Sequence, residues 1–281
     1  MPGHLALVTD STAYLPQDAV DRHRIEVVPL SVVVGDEVLL DGVEISPKDV
    51  AEALRSKQRV TTSRPNPETF AAAYRAAAEA GAAGVVSVHI SGELSGTHEA
   101  AVLAAAEAPI PVRVVDSRLI GMALGHCVLA AAEALENGRG LDEAAAEATR
   151  RAGLTRGFFY VDTLEYLRRG GRIGAARALL GSALAVKPLL HLSGGRIEPL
   201  EKVRTASRAI ARLEEIAVEY AGEGEVDIAV HHLAAEDRAE PLAERLRERV
   251  PGLRELYVGE VGAVIGAHVG PGLLAVVVAP R

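Results

Sequence analysis

Residues 84–101 read GVVSVHISGELSGTHEAA, and the succession of textures inside them decides the fold class. Gly84 to Ile90 is a short, apolar, β-prone run. Ser91 to Thr97 is polar and broken by Gly92 and Gly96, and His98 to Glu107 follows as an alanine-rich helix. The same order recurs on both sides. Upstream, Leu5 to Val8 is a strand that stops at Asp10-Ser11-Thr12, and Gln17 to His23 is a helix behind Pro16. Downstream, Pro111 to Val115 is a strand ending at Asp116-Ser117, followed by an Ala/Leu helix reaching Leu135 and a second helix over Leu141 to Ala152. Strands alternating with helices predict βαβ units and a parallel sheet covered on both faces. Ligands of such sheets bind beyond the carboxyl ends of the strands, where Thr9–Thr12, Ser91–Thr97 and Asp116-Ser117 fall.

Between these units, Ile25 to Val34 is strongly β-prone, with Pro29 marking an edge or bulge. Ser46-Pro47 opens a helix with Ser46 as N-cap and Asp49 in its first turn. Thr61 to Pro67 reads as a loop, and Glu68 to Ala80 as a helix ended by Gly81. The second half has a mixed texture. Phe158 to Val161 is a strand, Thr163 to Arg169 a short helix, Gly170-Gly171 a break and Ile173 to Leu184 a further helix. Val186 to Leu192 and Arg196 to Leu200 form a hairpin about Gly194-Gly195. Thr205 to Tyr220 and Arg238 to Arg249 are helical, and Val226 to Val230, Leu253 to Val258 and Leu273 to Val278 are strands. The expected architecture is two α/β domains, residues 1–153 with a parallel, Rossmann-like sheet and residues 154–281 with a mixed sheet.

Composition narrows the function. The chain has 281 residues, 49% hydrophobic and 24% charged, enough to bury two cores and too ordinary to be disordered. A net charge of −8 without a Lys/Arg run, and aromatics at only 3%, leave neither a phosphate-tracking surface nor stacking platforms for nucleic acid. Cys127 is the only cysteine, which rules out an internal disulfide and a thiolate metal cluster. The opening MPGHLALVTDS lacks a signal-peptide pattern, and the longest apolar run, LLAVVVAP, is strand-sized. The expected location is the cytoplasm.

Seven segments then stand in order: TDSTAYLP, VTTSRPNPETF, ISGELSGTHEAA, VVDSRLIGMALG, LEYLRRGGRIG, VKPLLHLSGGRIEPLEKVRT and GAHVGPGLLAV. Their order and spacing resemble the DegV family from about residue 5 to the C-terminus. The resemblance implies two α/β domains with a ligand cleft between them and a buried long-chain fatty acid such as palmitate. It also implies that the chain is no enzyme itself. It would serve as the lipid-binding subunit of a bacterial fatty-acid kinase, which phosphorylates the bound carboxylate to an acyl phosphate. The family's carboxylate-holding Thr and Ser correspond to Thr62 and Ser95. Its Arg and His near the head group and the kinase correspond to Arg204 and His268. No cofactor or metal is expected beyond the fatty acid.

The residues themselves leave other readings open. Thr62, close to Pro65, would serve equally as a turn or cap before the helix at Glu68. Ser95 would serve as a helix N-cap, a role compatible with anion binding. His268, flanked by Gly266 and Gly270, has little core to fill and suits a ligand-facing position. Arg204 follows Lys202 and would also fit as a solvated charge. His231-His232 face opposite sides of a strand, an arrangement that disfavours a shared metal. Gly170-Gly171-Arg172-Ile173-Gly174 lacks the Lys-Ser/Thr ending of a P-loop and reads as a helix break near the carboxylate mouth. The chain departs from the family at Gly92 and Glu93, the latter expected to face solvent or a partner, and at Arg64, expected to alter head-group polarity. The apolar wall for a tail is expected from Leu179–Leu192 and Val261–Val269. The alternatives in function are a serine hydrolase or transferase using Ser11 or Ser95 with His268, and a sensor of another amphiphile.

Overall fold

The computed structural model describes residues 4–63, 65–179 and 187–281. The chain packs as two compact units, one from the chain up to Ser31 together with Ser63–Gly153, the other from Val32–Thr62 together with Leu154–Arg281. The first unit ends at Gly153, where the boundary was expected, but residues 32–62, expected in the first domain, pack with the second unit.

The first unit is built on a four-stranded parallel sheet in the order Ile25–Val28, Leu5–Asp10, Gly84–His89, Val112–Asp116. Gly84–His89 is buried at every residue, as expected of a central parallel strand with both faces covered. The helices Pro67–Glu79 and Thr97–Ala105 pack together over the sheet. They enclose Val8, Val85, Phe70, Tyr74 and Ala101. Each fully buried large apolar side chain contributes about 1.5–3 kcal/mol. The β-prone run around Pro29 is two strands, Ile25–Val28 and Ser31–Val34, and they belong to different sheets. Proline offers no N–H to continue a ladder, so the break falls there.

The second unit has a six-stranded sheet ordered Arg196–Val203, Lys187–Ser193, Arg156–Tyr160, Leu274–Pro280, Val226–His232, Leu253–Glu260. Only Val226–His232 and Leu253–Glu260 pair in parallel; the other neighbours are antiparallel. Leu274, Val276 and Val278 point alternately to one face. There they meet Leu213 and Ala217 of the helix Ala206–Ala221 and Leu242 and Leu246 of the helix Glu236–Arg249. Gly194 and Gly195, at φ 57° and 85°, turn the expected hairpin in the left-handed geometry that suits strand twist.

Residues 32–62 add a small sheet ordered Glu37–Leu40, Ser31–Val34, Val60–Ser63, and a helix Pro47–Arg55. That helix carries a full capping box between Ser46 and Asp49. The segment joins the second unit through the helix Ala263–Val269, which packs on Pro47–Arg55. Asp41 Oδ1 accepts a 2.8 Å bond from Ala263 N and so caps this helix from far along the chain. The local cap, Gly262, has no side chain to offer. Gly266 allows close packing: a Cβ there would lie 2.9 Å from Val50 Cγ1.

Two expectations change. Thr61–Ser63 lie on a strand instead of a loop. The helix expected over Ile173–Leu184 is a 3-10 turn at Gly174–Leu179, and residues 180–186 lie outside the described set.

Candidate functional site

The second unit contains a cavity of about 540 Å³ whose lining brings together Thr62, His268, Tyr166 and Gly170 with four cations, Lys57, Arg59, Arg169 and Arg172. No Asp or Glu lines it. Each position follows from local structure. Lys57 follows the end of the helix Pro47–Arg55, and Arg59 leads into the strand Val60–Ser63. Burial alternates along that strand, so Val60 and Thr62 face inward while Thr61 and Ser63 face outward. Arg169 ends the short helix Glu165–Arg169, and His268 occupies the last turn of Ala263–Val269.

Thr62 Oγ1 and His268 Nε2 are 2.8 Å apart, joined across 206 positions of sequence. The other ring nitrogen, Nδ1, is buried and has no hydrogen-bond partner among the described residues. It packs on Gly170, where an added Cβ would stand 2.0 Å from it. An unpaired buried acceptor is more readily tolerated than an unpaired N–H. The arrangement therefore favours a proton on Nε2, donated to Thr62 Oγ1, with Nδ1 bare. Thr62 then keeps its own hydroxyl proton for a further acceptor. Burial pushes His268 down to about 4, and the charge of Arg172 acts in the same direction. At neutral pH the imidazole is uncharged, and the positive potential of the cavity comes from its Lys and Arg residues.

The two glycines of the RRGGRIG segment act differently. Gly171 lies at φ 71°, a backbone need for glycine. Gly170 has φ −74° and ψ −6°, which any residue adopts. The three atoms nearest a Cβ at 170 all belong to His268, so this glycine serves space. Gly270 does both: at φ 74° it also leaves room for Tyr166, whose Cδ2 would be 2.1 Å from a Cβ. Arg172 Nη1 donates to Gly170 O at 2.6 Å, and Arg169 Nε to Glu165 Oε1 at 2.7 Å. Arg168 and Arg169 together hold the Glu165 carboxyl down at about 2.

Of the residues singled out in the sequence, Thr62 and His268 meet in this cavity. Ser95 belongs to the first unit, where its hydroxyl accepts from Thr97 N at 3.3 Å and lies 2.8 Å from Thr97 Oγ1. The N-cap role weighed for it is corrected: Gly96 is the N-cap of Thr97–Ala105 and no side chain caps that helix, while Ser95 fastens the turn just ahead of it. Arg204 is exposed before the helix Ala206–Ala221 and does not line the cavity. It makes no side-chain hydrogen bond or ion pair among the described residues. Glu93 is exposed, and Arg64 lies outside the described residues, as do residues 180–186 of the stretch Leu179–Leu192 expected to wall the tail. His231 is buried and pushed down to about 4 by that burial, and His232 Nδ1 stands 3.7 Å from Glu260 Oε1. Among the described residues no group of three His, Cys, Asp or Glu side chains could hold a metal. The lone Cys127 is buried, which pushes its thiol up to about 12 and leaves it unreactive.

Sequence reading overlooked Lys57, Arg59, Tyr166 and Arg169 as cavity residues. It also missed a hydrogen-bond chain in the first unit. Tyr74 OH lies 2.9 Å from Ser87 Oγ, Ser87 Oγ 2.7 Å from His89 Nε2, and His89 Nδ1 3.1 Å from Asp10 Oδ2. Asp10 also accepts from Thr12 N and Ile90 N at 3.1 and 3.0 Å. The order Ser, His, Asp is that of a nucleophilic relay, but all three side chains are 0% exposed. The chain fastens the turns after Leu5–Asp10 and Gly84–His89 and offers no surface to a substrate. The serines weighed as nucleophiles are otherwise engaged: Ser11 Oγ accepts from Leu30 N at 3.2 Å, and Ser95 holds its own turn. The period-2 spacing of Ser87 and His89, facing one side of a buried strand, was the available signal.

No described helix is long and apolar enough to cross a membrane. The sequence model described as "Uncharacterised protein, DegV family" matches residues 4–281. A DegV domain-containing protein of Streptomyces coelicolor is 68% identical over 281 residues, covering 100% of both chains. Protein DegV of Bacillus subtilis is 36% identical over 277 residues, covering 97% of this chain and 98% of its own. Among solved structures, a Thermus thermophilus DegV family protein described for its fatty acid binding superposes with TM-score 0.94 at 38% identity, covering 99% of this chain and 100% of that one. Bacillus subtilis DegV, described as a fatty acid binding protein, superposes with TM-score 0.92 at 35% identity, covering 99% and 100%. The α/β architecture with one parallel and one mixed sheet is thus shared over the whole length, and this chain belongs to the DegV family.

Proposed function

We propose that this chain binds a long-chain fatty acid, such as palmitate, and presents its carboxylate to a separate fatty-acid kinase, without catalysing a reaction itself and without a cofactor of its own. The observation that carries this reading is the Thr62–His268 pair, 2.8 Å apart, at a cavity with four cations and no carboxylate in its lining. A hydroxyl whose oxygen is already occupied by an imidazole N–H has one proton left to give, and an ionised carboxylate is its best acceptor. The fatty-acid-binding relatives support the identity of the anion.

Magnitudes divide the labour. A hydrogen bond to a charged group is worth about 1.5–3 kcal/mol. A long acyl tail, at about 0.8 kcal/mol per buried methylene, contributes on the order of 10 kcal/mol before ordering costs. The tail sets affinity, and Thr62 sets where the head lies. Ser95 is carried as a head-group donor on the family resemblance alone. Arg204, exposed and uncompensated, is assigned on the same basis to the encounter with the kinase, in the cytoplasm.

Organic extraction of the denatured, purified protein followed by mass spectrometry should release long-chain fatty acid. Thr62→Ala should retain that lipid while its phosphorylation by the kinase falls. A clean extract from protein that also fails to take up palmitate would end the proposal.

A further inference from the structure

The charge around the cavity exceeds what one carboxylate requires. Lys57 and Arg59 line it and form no ion pair or side-chain hydrogen bond among the described residues. Arg172 adds a third positive charge, felt by His268. Arg169 is partly offset by Glu165, and His268 is uncharged at neutral pH. A fatty acid brings a single negative charge. Lys57 also sits in the left-handed region at φ 58°, where glycine or asparagine would be at ease. Its backbone is pinned by bonds from Lys57 N to Leu54 O at 3.1 Å and from Gln58 N to Ala53 O at 2.9 Å. Arg59 is pinned in turn by Gly35 N, which donates to Arg59 O at 3.0 Å. Two free cations on fixed backbone, beside a hydroxyl with a proton to give, make a receptor for an oxyanion of higher charge.

We propose that Lys57 and Arg59 form a phosphoryl subsite adjoining the Thr62–His268 pair. The subsite takes the roughly doubly charged phosphoryl group of an acyl phosphate. The assignment rests on the reading of the cavity as a carboxylate site. It adds the place where the phosphoryl group lies once a carboxylate oxygen has attacked the terminal phosphorus of a nucleoside triphosphate. In that step the new bond joins the carboxyl oxygen to phosphorus. The bond from phosphorus to the leaving nucleoside diphosphate breaks, and its electron pair stays on the diphosphate oxygen. Lys57 and Arg59 then hold the transferred group by charge, and the carboxyl end stays at Thr62.

The test compares two saturated amphiphiles of equal carbon number, palmitate and hexadecylphosphonate, in delipidated protein of the full sequence. Competition binding at fixed ionic strength gives their affinity ratio in wild type, in the Lys57→Ala/Arg59→Ala double variant, and in Arg22→Ala, an exposed cation of the helix Gln17–His23 outside the cavity lining. The double variant should lose at least tenfold in affinity for the phosphonate relative to palmitate, with palmitate uptake kept and Arg22→Ala unchanged. An unchanged ratio in the double variant, or an equal shift in Arg22→Ala, overturns the subsite. Failure of wild type to bind either amphiphile defeats the fatty-acid reading and the subsite together. Palmitate binding with an unchanged ratio defeats the subsite alone.

Discussion

Replacing Gly170 with Ala tests the cavity at a single atom. The added Cβ would stand 2.0 Å from His268 Nδ1 and 2.8 Å from Cε1, whereas ordinary contact begins near 3.4 Å. The ring must retreat by more than an ångström, or the Glu165–Arg169 helix end must. A 2.8 Å bond to Thr62 does not survive such a shift. Overpacking of this kind costs about 1–3 kcal/mol, and the lost bond about 0.5–1.5 kcal/mol. The backbone at 170 is compatible with alanine, so without the clash the same change would stabilise by about 0.4–1 kcal/mol through the unfolded state. The sign should therefore reverse when His268 is absent. Denaturant unfolding of wild type, Gly170→Ala, His268→Ala and the double variant closes a cycle. The expected coupling is about 1.5–3 kcal/mol, with Gly170→Ala neutral or stabilising beside His268→Ala. An equal cost in both backgrounds would show that the glycine serves something other than the imidazole, and the account of how His268 is aimed at Thr62 would fail.

Gly171→Ala offers the contrast: at φ 71° it should cost about 1–2 kcal/mol by backbone strain, with the same penalty whether or not His268 is present. His268 and His231 both titrate at about 4 when folded, below the unfolded value of 6.5. The unfolded chain takes up protons in that interval and the folded one does not. Stability should be full above about pH 6.5 and fall toward pH 4, by on the order of 1–3 kcal/mol for each group. Unfolding midpoints across this range should show a smaller drop in His231→Gln; a flat profile in wild type would refute the buried, uncharged state. Asp41→Ala should cost about 0.5–2 kcal/mol by uncapping Ala263–Val269, read as a lower denaturant midpoint with unchanged m. Asp10→Ala should be much more severe, about 3–5 kcal/mol, and wild type should resist a fluorophosphonate probe because Ser87 is enclosed; labelling of any serine would revive the hydrolase alternative.

Much of the fold could be read before the structure. Gln17–His23 has the predicted bounds, and the hairpin about Gly194-Gly195, the capped helix after Ser46 and the parallel βαβ order of the first unit fall where periodicity and turn chemistry put them. These features depend on neighbours within one turn or one pleat, which a linear pattern carries. The misreadings share a cause. Thr61–Ser63 look like loop because their polar hydroxyls mask a strand at the edge of a small sheet. The helix Ala263–Val269 goes unassigned in sequence because Gly262 has no side chain to cap it; the capping group is Asp41, far along the chain. Residues 32–62 look like part of the first domain because they interrupt it, yet their Val32, Val50 and Leu54 are buried in the second unit.

The sequence by itself determined the α/β class, most strands and helices, and the family, since these rest on local spacing and on motif order. It also named Thr62 and His268. Only the tertiary structure decided that these two share a hydrogen bond, that Gly170 exists to admit the ring, and that Lys57, Arg59, Arg169 and Arg172 gather in one cavity while Arg204 does not. Contacts between residues this far apart are set by how whole elements pack, and side-chain type at one position carries no record of its distant partner.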